Sequence, residues 1–397
     1  MIQRLVCVVL ISFGAIFGGC HPLYDTMARW FFLPSEGVRQ AQYDVHTERR
    51  VGFTSSDGIS LVADIHRPKG IHKTPTILIR IPFSLTRGNR IRSDVVGRYW
   101  ASRGYTVVIQ GTRGRYESGG EFYPMLYERQ DGIETLHWLE KQPWFNGRLG
   151  MWGGSSFGHT QWAVADQPTL RTGAFFIQIA STNFRTMFFP GNAFSLESAV
   201  FWTIRSRGER DRPVDNADLE RGVNTLPVLD ADLRAIGDTE FYNDWLLRQN
   251  DDDYWGVVDG IKRAQTIQAP VLLLAGWFDP FLPSQLEDYT TIKKHADPAV
   301  ARETRLIIGP WAHAISRGMP GSTAENPYRV ASIEPALSWF DHHLGVSRDS
   351  LDMPPVRLFV MGINQWRDEN EWPLQRTRYK RFHMHSFGDA HHMFGSG

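Results

Sequence analysis

Hydrophobic and polar positions along the chain change period in a way that orders most of it. Residues 51–54 lead into the turn Ser56-Asp57-Gly58, and 61–66 then alternate with period two, which predicts a hairpin. Residues 76–81 form a continuous apolar run, as a strand covered on both faces requires. A helix is expected over 94–103, stopped by Gly104, and 105–110 reads as the next buried strand. After the glycine-rich loop 111–121, residues 128–142 place Ile133, Leu136 and Leu139 on one helical face, and 149–152 returns to strand. Apolar runs recur at 271–275 and 306–308, and a helix is expected near 334–344. Alternating helices and buried strands predict a doubly wound, mostly parallel sheet built from 40–184 and 266–350.

Two segments break this pattern. Residues 185–265 are rich in Trp, Phe, Arg and Asp with no clear buried strand, and are expected to form a helical cap inserted over the sheet. Residues 356–362 and 378–385 read as strands, so 351–397 is expected to begin a separate β-domain, of which two strands make only a part. At the other end, Arg4 precedes an apolar stretch over 5–17 that closes in Gly18-Gly19-Cys20. That stretch is short for a spanning helix and suits a secretory signal. Small residues before a cysteine resemble the lipobox of bacterial lipoproteins, with Phe17 where leucine is usual. The expectation is an exported, cell-envelope protein tethered through an acylated Cys20, with a plain signal peptide or an uncleaved anchor as alternatives and a plain soluble protein as the last.

Charge and composition narrow the partners. The 43 basic and 43 acidic side chains cancel, which gives no reason to expect nucleic acid or an anionic membrane surface. Cys7 and Cys20 are the only cysteines, so disulfides and cysteine-based zinc sites in the body of the protein are excluded. Asp251-Asp252-Asp253 lacks the other oxygen ligands of a cation loop and reads as helix capping or a solvated loop. His383, His385, His391 and His392 read as a chain end rather than as metal ligands. No metal and no cofactor are expected.

The chemistry concentrates in Gly150-Met151-Trp152-Gly153-Gly154-Ser155-Ser156-Phe157-Gly158-His159. Glycines crowd two serines between an expected strand and an expected helix, as in a nucleophile elbow, where side chains on the flanks would not fit. Asp279 follows the run 271–275 through Gly276-Trp277-Phe278, and His313 follows 306–308 through Gly309-Pro310-Trp311-Ala312. Serine, acid and histidine in that chain order, the last two at the carboxyl ends of strands, make a serine-hydrolase triad of the α/β-hydrolase type. Literal G-x-S-x-G spacing names Ser156, and Ser155 is the other candidate; a glycine-serine turn without chemistry is the plain structural alternative.

These strings together resemble the CocE/NonD hydrolases, the family of cocaine esterase, α-amino-acid ester hydrolases and X-Pro dipeptidyl peptidases. The markers are Arg80-Ile81-Pro82-Phe83, Gly111-Thr112-Arg113-Gly114 with Ser118-Gly119-Gly120-Glu121-Phe122, the elbow, the Asp279 and His313 segments, and Met361-Gly362 with Trp366-Arg367 and Trp372-Pro373. The resemblance spans about 45–385. It implies an α/β-hydrolase domain, a helical cap and a C-terminal jelly roll, of which this chain would hold only the beginning. It aligns Ser155 as nucleophile, with Asp279 and His313 completing the triad. The oxyanion hole would take the backbone N–H of Ser156 and a second donor at Phe83, where the family carries a tyrosine and this chain has no hydroxyl; Ser84 or a backbone N–H are the substitutes considered. Acidic residues that hold a substrate ammonium in amino-acid ester hydrolases are replaced by Pro280 and Phe281. The resemblance therefore implies a serine esterase acting on neutral or aromatic acyl esters through an acyl-enzyme. An X-Pro dipeptidyl peptidase or other acyl peptidase or amidase is the alternative, and a catalytically impaired binding or remnant protein a second.

Overall fold

A computed structural model describes residues 39–207, 214–258, 260–313, 332–347, 350–383 and 385. Residues 1–38, with Arg4 and Cys20, and the terminal His391 and His392 lie outside them. Ten strands form one sheet: β1 (Val45–Thr54), β2 (Ser60–Pro68), β3 (Thr74–Ile81), β4 (Thr106–Gly111), β5 (Phe145–Gly154), β6 (Ala174–Gln178), β7 (Val271–Phe278), β8 (Arg305–Ala312), β9 (Val356–Val360) and β10 (Gln365–Glu369). Their order is β1-β2-β4-β3-β5-β6-β7-β8-β9-β10. The β1–β2, β2–β4 and β9–β10 pairs are antiparallel and every other pair is parallel.

Period-two alternation sends successive apolar side chains of each parallel strand to opposite faces. Ile77, Ile79, Phe176, Leu272 and Leu274 pack under helices α1 (Arg87–Ala101) and, at the far end of the chain, 334–343, through Trp100, Leu337 and Phe340. Leu78, Met151, Phe175, Ile177 and Leu273 pack on the other face against α2 (Glu128–Glu140) and α3 (Ser156–Trp162), through Leu136, Leu139 and Trp162. This is why the strands read as unbroken apolar runs: both faces are covered.

Between β6 and β7 the described residues form short helices: α4 (Arg185–Phe188), α5 (Leu196–Ser206), α6 (Asn216–Val223), α7 (Ala231–Ala235), α8 (Glu240–Leu247), α9 (Asp252–Val258) and α10 (Ile261–Gln265). Phe188, Trp202, Tyr242, Trp245 and Trp255 give them an aromatic core of their own, which reaches the sheet domain through Met125, Phe184 and Phe281. Asp251 accepts from the backbone N–H groups of Asp253 and Tyr254 (3.1 and 3.0 Å), so the acidic run serves as a cap of α9. Helices α11 (Leu282–His295), α12 (Pro298–Glu303) and α13 (Glu334–His343) follow within the sheet domain.

The carboxyl-terminal expectation needs correction. Residues 356–360 do not open a separate β-domain; β9 joins the central sheet in parallel beside β8, with Leu306 opposite Val356 and Ile308 opposite Leu358. Helix α13 between β8 and β9 is the crossover that a parallel pair requires, and Val356 and Leu358 are buried in the same core as Leu273. Residues 378–383 form no strand, and Tyr379 and Phe382 stand in solvent. No second sheet is present among the described residues.

Candidate active site

The turn from β5 into α3 is built by exclusion of side chains. Gly153 has φ +146°, and a Cβ there would lie 2.4 Å from Cβ of Phe157. A Cβ on Gly158 would lie 2.6 Å from Cβ of Ala180, so α3 can approach β6 only with glycine at that place. Between them Ser155 takes φ 55°, ψ −125°, outside the regions open to L-residues at low cost. Such a conformation costs on the order of 1–3 kcal/mol and persists because its surroundings hold it. Its N–H donates to the carbonyl of Gln178 (2.9 Å), and its carbonyl accepts from Gly158 and His159 (2.8 and 3.0 Å). The peptide is pinned on both sides and the hydroxyl projects from the turn.

That hydroxyl meets a histidine. Ser155 Oγ lies 2.8 Å from Nε2 of His313, just beyond the end of β8. On the other side of the ring, Nδ1 of His313 lies 2.7 Å from Oδ2 of Asp279, just beyond the end of β7. Asp279 is itself fixed: its Oδ1 accepts from the N–H of Phe281 (2.8 Å), and its side chain has no solvent exposure. A carboxylate has no proton to give, so Nδ1 carries the hydrogen and the Nε2 lone pair faces the serine. The Phe281 ring lies 5.8 Å from the imidazole and stacks on Phe184 at 6.3 Å, so one wall of the site is aromatic. In the sequence, Phe281 stands out only as an aromatic two residues past the acid, and its place against the imidazole is set by the fold.

The neighbouring candidates sit differently. Ser156, which literal spacing names, begins α3 and is 2% exposed, with its hydroxyl buried and unpartnered. Its backbone N–H belongs to the first helical turn, where amides have no intrahelical acceptor. His159, one turn further, is 2% exposed, packs on Phe184 at 5.3 Å and is held neutral, its pKa pushed down to about 3 by burial and then by Arg263. Phe83 packs on Phe157 with ring centroids 5.4 Å apart and offers no donor. Ser84 is buried, and its hydroxyl accepts from Nη1 of Arg115 at 3.3 Å, which ties it to the loop after β4.

Elsewhere, Glu303, His342 and His343 bring one ligand atom each within 4.8 Å of one another. Glu303 also faces Arg302 and Arg305 at 3.4 and 3.6 Å, and those positive charges oppose a cation there. A cleft of about 940 Å³ lined by Arg129, Asp166, Arg185 and Lys262 contains no member of the Ser155 cluster.

The model of the X-Pro dipeptidyl-peptidase (S15) family matches residues 57–315, a span that holds Ser155, Asp279 and His313. The chain belongs to that family. It is 32% identical to the cocaine esterase of Rhodococcus sp. (strain MB1 Bresler) over 381 residues, covering 86% of this chain and 62% of that one. It shares its fold with an α-amino acid ester hydrolase (TM-score 0.60, 20% identity, 86% of this chain and 60% of that one). The same holds for a CocE/NonD family hydrolase from Staphylococcus aureus (TM-score 0.61, 18% identity, 87% and 63%). The chain thus spans under two thirds of the length of each of these relatives.

Proposed function

We propose that this S15-family chain is a serine hydrolase that cleaves carboxylic esters through an acyl-enzyme on Ser155. The observation that carries the reading is the unbroken relay from Ser155 Oγ through His313 to Asp279, at 2.8 and 2.7 Å, on a strained and pinned elbow. Nε2 of His313 takes the hydroxyl proton as Oγ attacks the carbonyl carbon, and Asp279 stabilises the imidazolium. His313 then gives that proton to the departing alkoxide, leaving the acyl group on Ser155. Water, deprotonated by the same Nε2, attacks the ester carbon and frees the acid, and the proton returns to Oγ. The N–H of Ser156 is the donor suited to the developing oxyanion. Pro280 and Phe281 after Asp279 offer no carboxylate for a substrate ammonium, which favours acyl esters over X-Pro peptides.

The test is fluorophosphonate labelling followed by peptide mass mapping. The reading expects modification at Ser155, none in Ser155→Ala, and turnover of aryl esters faster than of an X-Pro anilide. A folded sample that takes no label would overturn it in favour of an inactive binding protein. Export and acylation at Cys20 belong to the same proposal: metabolic labelling with a fatty-acid analogue should mark the wild-type chain and not Cys20→Ser.

A further inference from the structure

Helix α5 of the cap ends beside the turn that follows β3, and it delivers a cation there. Arg205 is exposed, and its guanidinium carbon lies over the Phe83 ring, 5.3 Å from the centroid. Phe83 packs on Phe157, and Phe157 stands two residues after Ser155 on the same turn. The other face of α5 is locked down: Trp202 packs edge-on to Phe184 at 6.3 Å, and the carbonyl of Ser206 accepts from Nη2 of Arg115. Arg205 is therefore held over Phe83, one ring removed from the turn that carries Ser155, by a helix and an aromatic platform rather than by a carboxylate. Among the described residues it makes no ion pair, unlike Arg49, Arg113 and Arg129, which bind Asp94, Asp131 and Asp166. The carboxylate of the site does not pair with it either: the Asp279 side chain has no solvent exposure and is bonded to Phe281 and His313.

A guanidinium resting on a ring keeps its edge N–H groups free to fork onto a carboxylate. We infer that Arg205 is a specificity-determining residue, and that the preferred ester carries a carboxylate on the part of the molecule that lies over Phe83. This inference rests on the serine-hydrolase reading and names a substrate class for it.

The experiment compares rigid aryl esters that differ only in charge. 4-Acetoxybenzoate against 4-acetoxybenzamide places the charge on the leaving group. The phenyl monoester of terephthalic acid against its carboxamide places it on the acyl group. In at least one pair the wild type should show the lower KM for the carboxylate, and raising salt to 0.5 M should shrink that preference. Arg205→Gln should raise the KM ratio of carboxylate to carboxamide about tenfold, the scale of one charge-assisted hydrogen bond, and Arg205→Lys should recover part of it. A change that weakens both members of a pair in the same proportion would mean a structural role and overturn the inference. So would turnover of the carboxamides by a wild type that shows no preference in either pair, a result that leaves the serine-hydrolase reading standing. Failure to hydrolyse any of the four, with no fluorophosphonate label, removes both.

Discussion

Asp279→Asn probes how the acid works. The asparagine is nearly isosteric, but its two ends are no longer equivalent. The N–H of Phe281 points at Oδ1 from 2.8 Å and requires an acceptor, so the amide oxygen must face it. The amide nitrogen then faces Nδ1 of His313, formerly 2.7 Å from Oδ2, and donates to it. His313 must carry its proton on Nε2, which now presents a donor to Ser155 where an acceptor is needed. Turning the amide to restore the productive tautomer leaves the buried Phe281 N–H facing another donor, at about 1–3 kcal/mol. The carboxylate's charge-assisted bond to the imidazolium is lost as well, about another 1.5–3 kcal/mol. Together these lower kcat by roughly 10²–10⁴, at 1.36 kcal/mol per tenfold. The assay is kcat on an aryl acetate, with the fluorophosphonate labelling rate and thermal denaturation measured on the same samples. Melting should barely move, because Phe281 keeps its acceptor. Asp279→Ala, which strips both donors of a partner, should lose stability as well as rate. An asparagine variant within tenfold of wild type would refute the relay.

The two serines should separate cleanly. Ser155→Ala is expected to remove the nucleophile and cost at least about 10³ in kcat, whereas Ser156→Ala keeps its N–H, loses an unpartnered buried hydroxyl and changes kcat by a few fold at most; a larger loss in Ser156→Ala reverses the assignment. Gly158→Ala should destabilise by about 1–3 kcal/mol in urea denaturation, since its Cβ meets Ala180 at 2.6 Å and Ile177 Cγ2 at 3.2 Å. Asp288, buried on α11 with the N–H of Thr182 at 3.0 Å, has its pKa pushed up from 3.8 to about 7 by burial, against the pull of its hydrogen bonds. Between those values the folded state binds the extra proton, so this group's contribution is full below about pH 4 and is lost as pH rises to about 7, at up to about 1.4 kcal/mol per pH unit. Asp288→Asn should flatten the fall in urea midpoint across pH 4–8, and an unchanged slope would show that Asp288 is not its source.

What the residues disclosed and what they hid follow from the range of each interaction. The parallel strands were legible because burial on both faces leaves an apolar run such as 76–81 or 271–275, a local signal. The elbow was legible in part for a similar reason: the crowding that demands Gly153 comes from Phe157, four residues on, whereas Gly158 is demanded by Ile177 and Ala180 at the next strand. Which serine faces the histidine is not local. Ser155 and Ser156 differ by one position, and the difference is made by φ 55° at Ser155 together with Gln178, which belongs to another strand. Likewise β9 resembled the first strand of a new domain because its composition is compatible with either sheet. Its partner is β8, and the deciding signal was the helix at 334–343, which supplies the crossover that two parallel strands need. Some markers that carried the resemblance turn out to build the frame around the site. Arg113 is fixed on Asp131 and stacked on Tyr127 at 4.3 Å, and Gly114, at φ +69°, lies where a Cβ would strike the backbone of Phe122 at 2.5 Å. They hold the loop after β4 against α2, and from the same loop Arg115 reaches Ser84 and the end of α5. The position of Arg205 over Phe83 thus depends on that frame, so loosening it through Arg113→Ala should weaken any charge preference of the site while leaving the hydrogen bonds of Ser155, His313 and Asp279 in place.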